Sequence, residues 1–487
     1  MGLPGGKNSL KRYICEHHPS ACVRSGSFEM AMRETTSNRD STIVCKDGNI
    51  MMMAVPLSVR TVDEYVECIY NQLAVLMQHA GVVVVCFDEP DAVPIAKSAT
   101  QARRDARATS ASDETVPIGD DYDSETMNGV HDVHVLIKQR PTRYRAFDEV
   151  MLRVTQRIVQ AESMESELNP MEEFEMRRIV FDGIDARGAS RPPNESRNPG
   201  IFSNDGDLSR EICRRRPYPI GEADMKLQHI ASIVTSLYPS APRFTVLDTV
   251  DTDNLPIALL RYGEDADFER QYICMRERGS YAKRKRLGSN ERDSSDVSNE
   301  TAGVLLLHPS SIVRGLFENA EDALKTVAQD DETRFKIAVH SLIFFTACCW
   351  AITGCDFVQP EIGHTDVVTS VALQFGRANL EEVVSSVVRC TQEWNSEETL
   401  SCGHAQLVCM IRKVASCAGS RLSARSKVRT VHSNTHTCAH LIAFRTVHPL
   451  QQACSMLLNV EDWRLRRSIW TAFYWSDPET PPSRPLP

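Results

Sequence analysis

Two acidic pairs in i, i+2 spacing carry the strongest chemical signal in this chain: Glu222 with Asp224, and Asp251 with Asp253. The first pair follows Pro219 and Gly221. It opens a run in which Met225, Leu227, Ile230, Ile233, Val234 and Leu237 recur at helical spacing, so Glu222 and Asp224 belong where a loop enters a helix. The second pair closes the apolar stretch PheThrValLeu (244–247), whose β-branched and aromatic residues predict a buried strand. In an open α/β sheet the carboxyl ends of strands and the helix starts that follow share one rim, where ligands bind. Four carboxylates on one rim repel one another unless cations neutralise them, and an oxygen-only cluster suits hard divalent ions, Mg²⁺ or Mn²⁺. A single acid-x-acid pair is most often a solvated turn. Two pairs in matching settings favour the metal.

Other stretches add to the same rim. A strand expected over 41–47 ends on Asp47, and ValValValValCysPhe (82–87) delivers Asp88 and Glu89 at its carboxyl end. Between them Val62, Tyr65, Val66, Ile69, Leu73 and Leu76 mark a helix over 62–79, ended by Gly81. Strand, helix, strand implies parallel pairing with a right-handed crossover. Asp356 follows an apolar helix expected over 336–352 and a turn at Gly354, which lets it reach the rim as a further ligand. After Asp88, Lys97, Gln101 and Arg104 fall at i, i+4, i+7 on one helix face, a cationic stripe suited to holding a phosphate. Without the neighbouring acids that stripe reads as a solvated face.

The elements that must position these residues predict an α/β fold, with a central, mostly parallel sheet flanked by helices and a largely helical C-terminal region. Further strands are expected at 269–275 and 304–307 and a helix at 310–317. At 487 residues the chain holds one large domain or several ordinary ones. Its formal charge of −10 advertises no global affinity for nucleic acid, so such binding must come from local basic patches. No apolar run reaches membrane-spanning length. Sixteen scattered cysteines, several in apolar runs, fit a reducing, intracellular compartment better than a disulfide framework. Residues 109–130 read as a polar loop, 141–180 as a helix dense in Glu and Arg, and 183–210 as a second polar stretch. LysArgLysArg (283–286) sits in a basic polar loop. Cys402, His404, Cys409, Cys417, His432, His436, Cys438 and His440 include no CxxC pair and match no closed zinc site.

Taken in order, these segments resemble the flap endonuclease and Xrn-type 5′→3′ exonuclease superfamily. The opening MetGlyLeuProGlyGly with LeuLysArgTyrIleCysGlu is similar to that family's start. LysAspGlyAsnIle resembles its first acidic motif, at Asp47. PheAspGluPro resembles its PheAspGly motif, at Asp88, with Glu89 in place of the glycine. AlaLysSerAlaThrGlnAlaArgArg resembles the basic helix that grips a substrate near its 5′ end. ProIleGlyGluAlaAspMetLys is similar to the Xrn-type Glu-x-Glu motif, with Asp224 for the second Glu. AspThrAspAsnLeu and GlyCysAspPheVal resemble the last two acidic motifs.

The resemblance covers 1–105 and 211–365, and implies a PIN-like nuclease domain split by an insertion over 106–210 and followed by a helical region at 366–487. It further implies hydrolysis of phosphodiester bonds in DNA or RNA through two Mg²⁺ or Mn²⁺ ions. Asp47, Asp88, Glu222 and Asp224 would serve one ion or its bridging position, and Asp251, Asp253 and Asp356 the other. Lys97, Gln101 and Arg104 would hold a terminal or scissile phosphate. Two rival readings stand beside it: a nuclease-derived nucleic-acid-binding or scaffold protein without catalysis, and an interaction protein acting through its helical C-terminal half.

Overall fold

The computed structural model describes residues 8–35, 39–89, 132–138, 140–168, 178–191, 195–215, 223–237, 244–249, 254–260, 268–276, 303–317, 331–351, 353, 364–394 and 402–429. The chain begins with helix α1 (Asn8–His17), strand β1 (Cys22–Ser25) and helix α2 (Phe28–Thr35), then β2 (Thr42–Asp47), α3 (Gly48–Met53), α4 (Val62–His79) and β3 (Val82–Cys86). Helices α5 (Val133–Lys138) and α6 (Arg140–Leu168) precede β4 (Arg178–Ile184), β5 (Gly200–Ser203) and α7 (Gly206–Arg215). Helix α8 (Ala223–Leu237) leads to β6 (Phe244–Thr249), α9 (Asn254–Leu260), β7 (Gln271–Arg276), β8 (Val304–Leu307) and α10 (Pro309–Phe317). Helices α11 (Glu332–Ala351), α12 (Thr365–Ala378), α13 (Leu380–Trp394) and α14 (Cys402–Arg429) follow.

The described strands form one mixed sheet of eight, in the order β1-β8-β7-β6-β2-β3-β4-β5. From β7 through β4 every pairing is parallel; β8, β1 and β5 pair antiparallel at the two margins. The central strands are near-continuous apolar runs, as strands covered on both faces must be. Val82, Val84 and Cys86 of β3 enter one apolar cluster, while Val83, Val85 and the following Phe87 enter the other. Helices α2 to α6 cover the second face. Helices α1 and α7 to α14 contribute to the first. Strand order reverses between β2 and β6, because β3 and β4 continue to one side and β6 and β7 to the other. That is a topological switch point, where the loops at the strand carboxyl ends diverge and leave a crevice.

The described part of the stretch 106–210, which the sequence predicts as an insertion, packs into this core. The expected helix through 180 ends at Leu168, and Arg178–Ile184 is an interior strand of the sheet, parallel to β3. Phe147, Val150, Met151, Val154 and Ile158 put an apolar face of α6 into the second cluster, against α4. Residues 185–191 and 195–210, expected as a loose polar stretch, are held by charges that pair inside the protein. Arg197 donates to both oxygens of buried Asp148, at 2.8 and 2.5 Å, and Asp185 accepts from Arg187 and from the Asn198 amide. Residues 109–130 lie outside the described residues. The C-terminal helices α12, α13 and α14 pack with α11 in the first cluster, so the described part of the region after 365 shares the core of the sheet. No described helix is long and apolar enough to cross a membrane, and the described cysteines are free thiols.

Candidate functional site

Asp47 is the last residue of β2, and it lies beside Cys86, the last residue of β3. Its carboxylate accepts the Ile50 amide at 3.1 Å and so caps α3, while only 7% of the residue remains exposed. Gly48 must follow it, because a Cβ there would stand about 2.5 Å from the Phe87 ring. Asp88 lies two residues beyond β3, in phase with Cys86, on the sheet face covered by α8. Its Oδ1 accepts the Ala223 amide at 2.8 Å, which is the first N–H of α8. The end of β3 and the start of the helix that bears Asp224 therefore meet directly.

The third strand end is at Thr249. Here the chain leaves β6 and re-enters the described structure at Asn254, the start of α9. Asn254 is fully buried, and its side-chain amide donates to the Thr249 hydroxyl at 3.1 Å, tying the two flanks of 250–253 together. Both flanks sit at the carboxyl end of a strand parallel to β2. Glu222, Asp251, Asp253 and Asp356, and the phosphate-binding candidates Lys97, Gln101 and Arg104, lie outside the described residues. Asp224 is on the first turn of α8, and its side chain is likewise outside them. Of the carboxylates expected to converge, Asp47 and Asp88 are thus seen on the shared rim, and β6 is seen to end there.

Sequence reasoning missed two charged residues at this rim, Lys226 and Asp182. Lys226, one turn into α8, is wholly buried. Its ammonium donates to the Phe87 carbonyl at 2.8 Å and to Glu89 Oε1 at 2.5 Å, and Asp182 Oδ1 lies 3.5 Å away. Asp182 sits near the end of β4 in register with Cys86. A signal for both was present: Lys226 occupies the inward phase of α8, four residues before Ile230, and Asp182 follows an apolar run as Asp88 does. A second buried pair, Lys46 with Asp248, joins β2 to β6 on the opposite sheet face.

The two described carboxylates are of the type that hard divalent ions take. Asp47 and Asp88 offer oxygen only, and each is oriented by a backbone amide, the kind of outer hydrogen bond that fixes ligating carboxylates. Among the described residues no group of three or more possible ligands has closed to metal-binding distance. No protein-family model matches the chain, and no curated protein matches it.

Proposed function

We propose that this chain is a divalent-metal-dependent 5′ nuclease with a PIN-like domain, hydrolysing phosphodiester bonds in DNA or RNA. The observation that carries the reading is the hydrogen bond from the Ala223 amide to Asp88. It draws the start of α8, with Asp224 on its first turn and Glu222 just before it in sequence, to a rim where β2 ends in Asp47 and β6 runs out towards Asp251 and Asp253. The parallel order about the β2–β6 switch point supports it as well.

In this reading Asp47, Asp88, Glu222 and Asp224 hold one Mg²⁺ or Mn²⁺ or its bridging position, and Asp251, Asp253 and Asp356 hold a second. Such ions would supply an activated water and neutralise charge on the leaving oxygen. Asp47 and Asp88 are pre-oriented by the amides they accept from, so little reorganisation is needed on binding. Lys97, Gln101 and Arg104 hold the phosphate and select 5′ ends. A second reading, a nucleic-acid-binding or scaffold protein without catalysis, draws on Lys226. That residue places a buried side chain paired with Glu89 beside the rim, and Asp47 and Asp88 each have a capping role that needs no metal.

The test is hydrolysis of 5′-phosphorylated single-stranded DNA, RNA and flap substrates with Mg²⁺ or Mn²⁺, against EDTA. The parent should cleave at least one class with metal only, and Asp253→Ala should lose orders of magnitude in rate while still binding substrate. Arg104→Ala should weaken affinity for 5′-phosphorylated ends and spare metal binding. A parent that binds nucleic acid but never cleaves it would hand the chain to the second reading.

A further inference from the structure

Buried lysines are rare unless paired, and an ion pair sealed from water seldom stabilises a fold more than apolar side chains of the same volume would. Lys226 therefore calls for another account of its place. Its acceptors are specific. Phe87 and Glu89 are the residues immediately before and after Asp88, and Lys226 holds both. Asp88 itself accepts the amide of Ala223, three residues before Lys226 on the same helix. Three successive residues of the strand exit are thus strapped to one turn of α8.

The neighbouring strand is shaped around the strap. Phe87 donates its amide to the Asp182 carbonyl at 2.8 Å. Gly183 follows with φ of 90°, and a Cβ there would lie 2.6 Å from the Phe87 carbonyl oxygen and 2.8 Å from Lys226 Nζ. Only glycine leaves room for the ammonium at that point. The space, the acceptors and the backbone conformation all converge on one cation. Glu89, the residue that stands where the resemblance expects glycine, supplies its carboxylate partner.

We propose that Lys226, with Glu89, is the positioning element for Asp88: it fixes the direction of that carboxylate, and through it the placement of Asp88 against the first turn of α8. The proposal deepens the nuclease reading and rests on it for its consequence, a rim preset for a divalent cation. It does not rest on it for the strap itself.

Two measurements on the full chain test it. The variant Lys226→Met/Glu89→Met/Asp182→Asn removes the ammonium and both carboxylates paired with it at nearly constant volume, so its unfolding midpoint should stay near the parent's. In EDTA, amide exchange over the first turn of α8 should quicken about tenfold or more in this variant, while core strands keep their protection. Mn²⁺ affinity, read by titration calorimetry, should fall about 10–100-fold with stoichiometry unchanged. Glu89→Gln, which keeps the acceptor for Lys226, should restore most of both. If the triple variant fails to fold, Glu89→Ala carries the same comparison, since Lys226 keeps Phe87 and Asp182. Unchanged exchange overturns the strap, and unchanged Mn²⁺ affinity in a parent that binds Mn²⁺ overturns the positioning role alone. A parent that binds no Mn²⁺ overturns the nuclease reading and the positioning role with it, while altered exchange would still show the strap.

Discussion

At the scale of single residues, several buried charges among the described residues pair across distant parts of the chain. Asp148 on α6 is the sharpest case. It is fully buried, takes both forks of Arg197 and accepts the Asp185 amide at 3.0 Å. Burial pushes its carboxyl above the usual range, and Arg197 draws it back only in part. Arg197→Ala would strand that carboxylate, and breaking one side of a buried pair costs about 3–5 kcal/mol. The sign with pH follows from the raised value. A carboxyl that prefers its proton in the folded state loses stability as pH rises through its folded pKa, and keeps it below the unfolded value near about 3.9. The deficit of Arg197→Ala against the parent should therefore be greatest near neutrality and shrink as the pH falls towards about 4, because Asp148 then takes up a proton. Urea titrations across that range measure it; a deficit that does not change with pH would mean Asp148 is not the group left unpaired.

At the scale of elements, β2, β3 and β6 were legible because each is a short apolar run followed by an acid, and helix α4 because its apolar period is unbroken. Thr61 and Glu64 add a capping box at its start. Strand β4 was not legible. Its apolar core, Ile179–Phe181, follows a long stretch dense in Glu and Arg, and the helical pattern was carried through it. The edge strand β5 has no alternation to read and is mostly half-buried. Lys226 was passed over because a lysine in a helical run reads as solvated until its acceptors on the strand exits are known. The start of α7 illustrates what short polar residues hide. Burial raises Asp205, but the Leu208 and Asp207 amides and Arg178 outweigh it and hold its carboxyl below the usual range. Asp205→Ala should cost about 1 kcal/mol at neutral pH, as loss of a helix cap does. A depressed folded pKa gives stability that is present above the unfolded value and lost as pH falls through the folded one. The cost should therefore fade below about pH 4, the opposite trend to Arg197→Ala.

At the scale of the whole molecule, the parallel block from β7 to β4 sends its carboxyl ends to one rim, and the order reverses between β2 and β6. In the proposed reading, anions gathered at that crevice would oppose folding until a cation joined them, which predicts two separable effects of the acids on stability. If the rim binds Mg²⁺, saturation should stabilise the folded chain by about 2.7 kcal/mol at a hundred times the dissociation constant. NaCl at matched ionic strength should give far less, since simple screening is not site binding. Substitution then sorts the acids by what else they do. Asp251→Ala and Asp253→Ala should abolish most of the Mg²⁺ shift and leave the metal-free melting point level or slightly higher, because repulsion is relieved. Asp47→Ala and Asp88→Ala should abolish the shift too, but should lower the metal-free melting point, because each also removes an acceptor from a helix start. Thermal melts in EDTA and in Mg²⁺ separate the two classes. If Mg²⁺ shifts nothing in the parent, the rim holds no such ion. If Asp251→Ala and Asp88→Ala behave alike without metal, the repulsion ascribed to the crowded acids is absent.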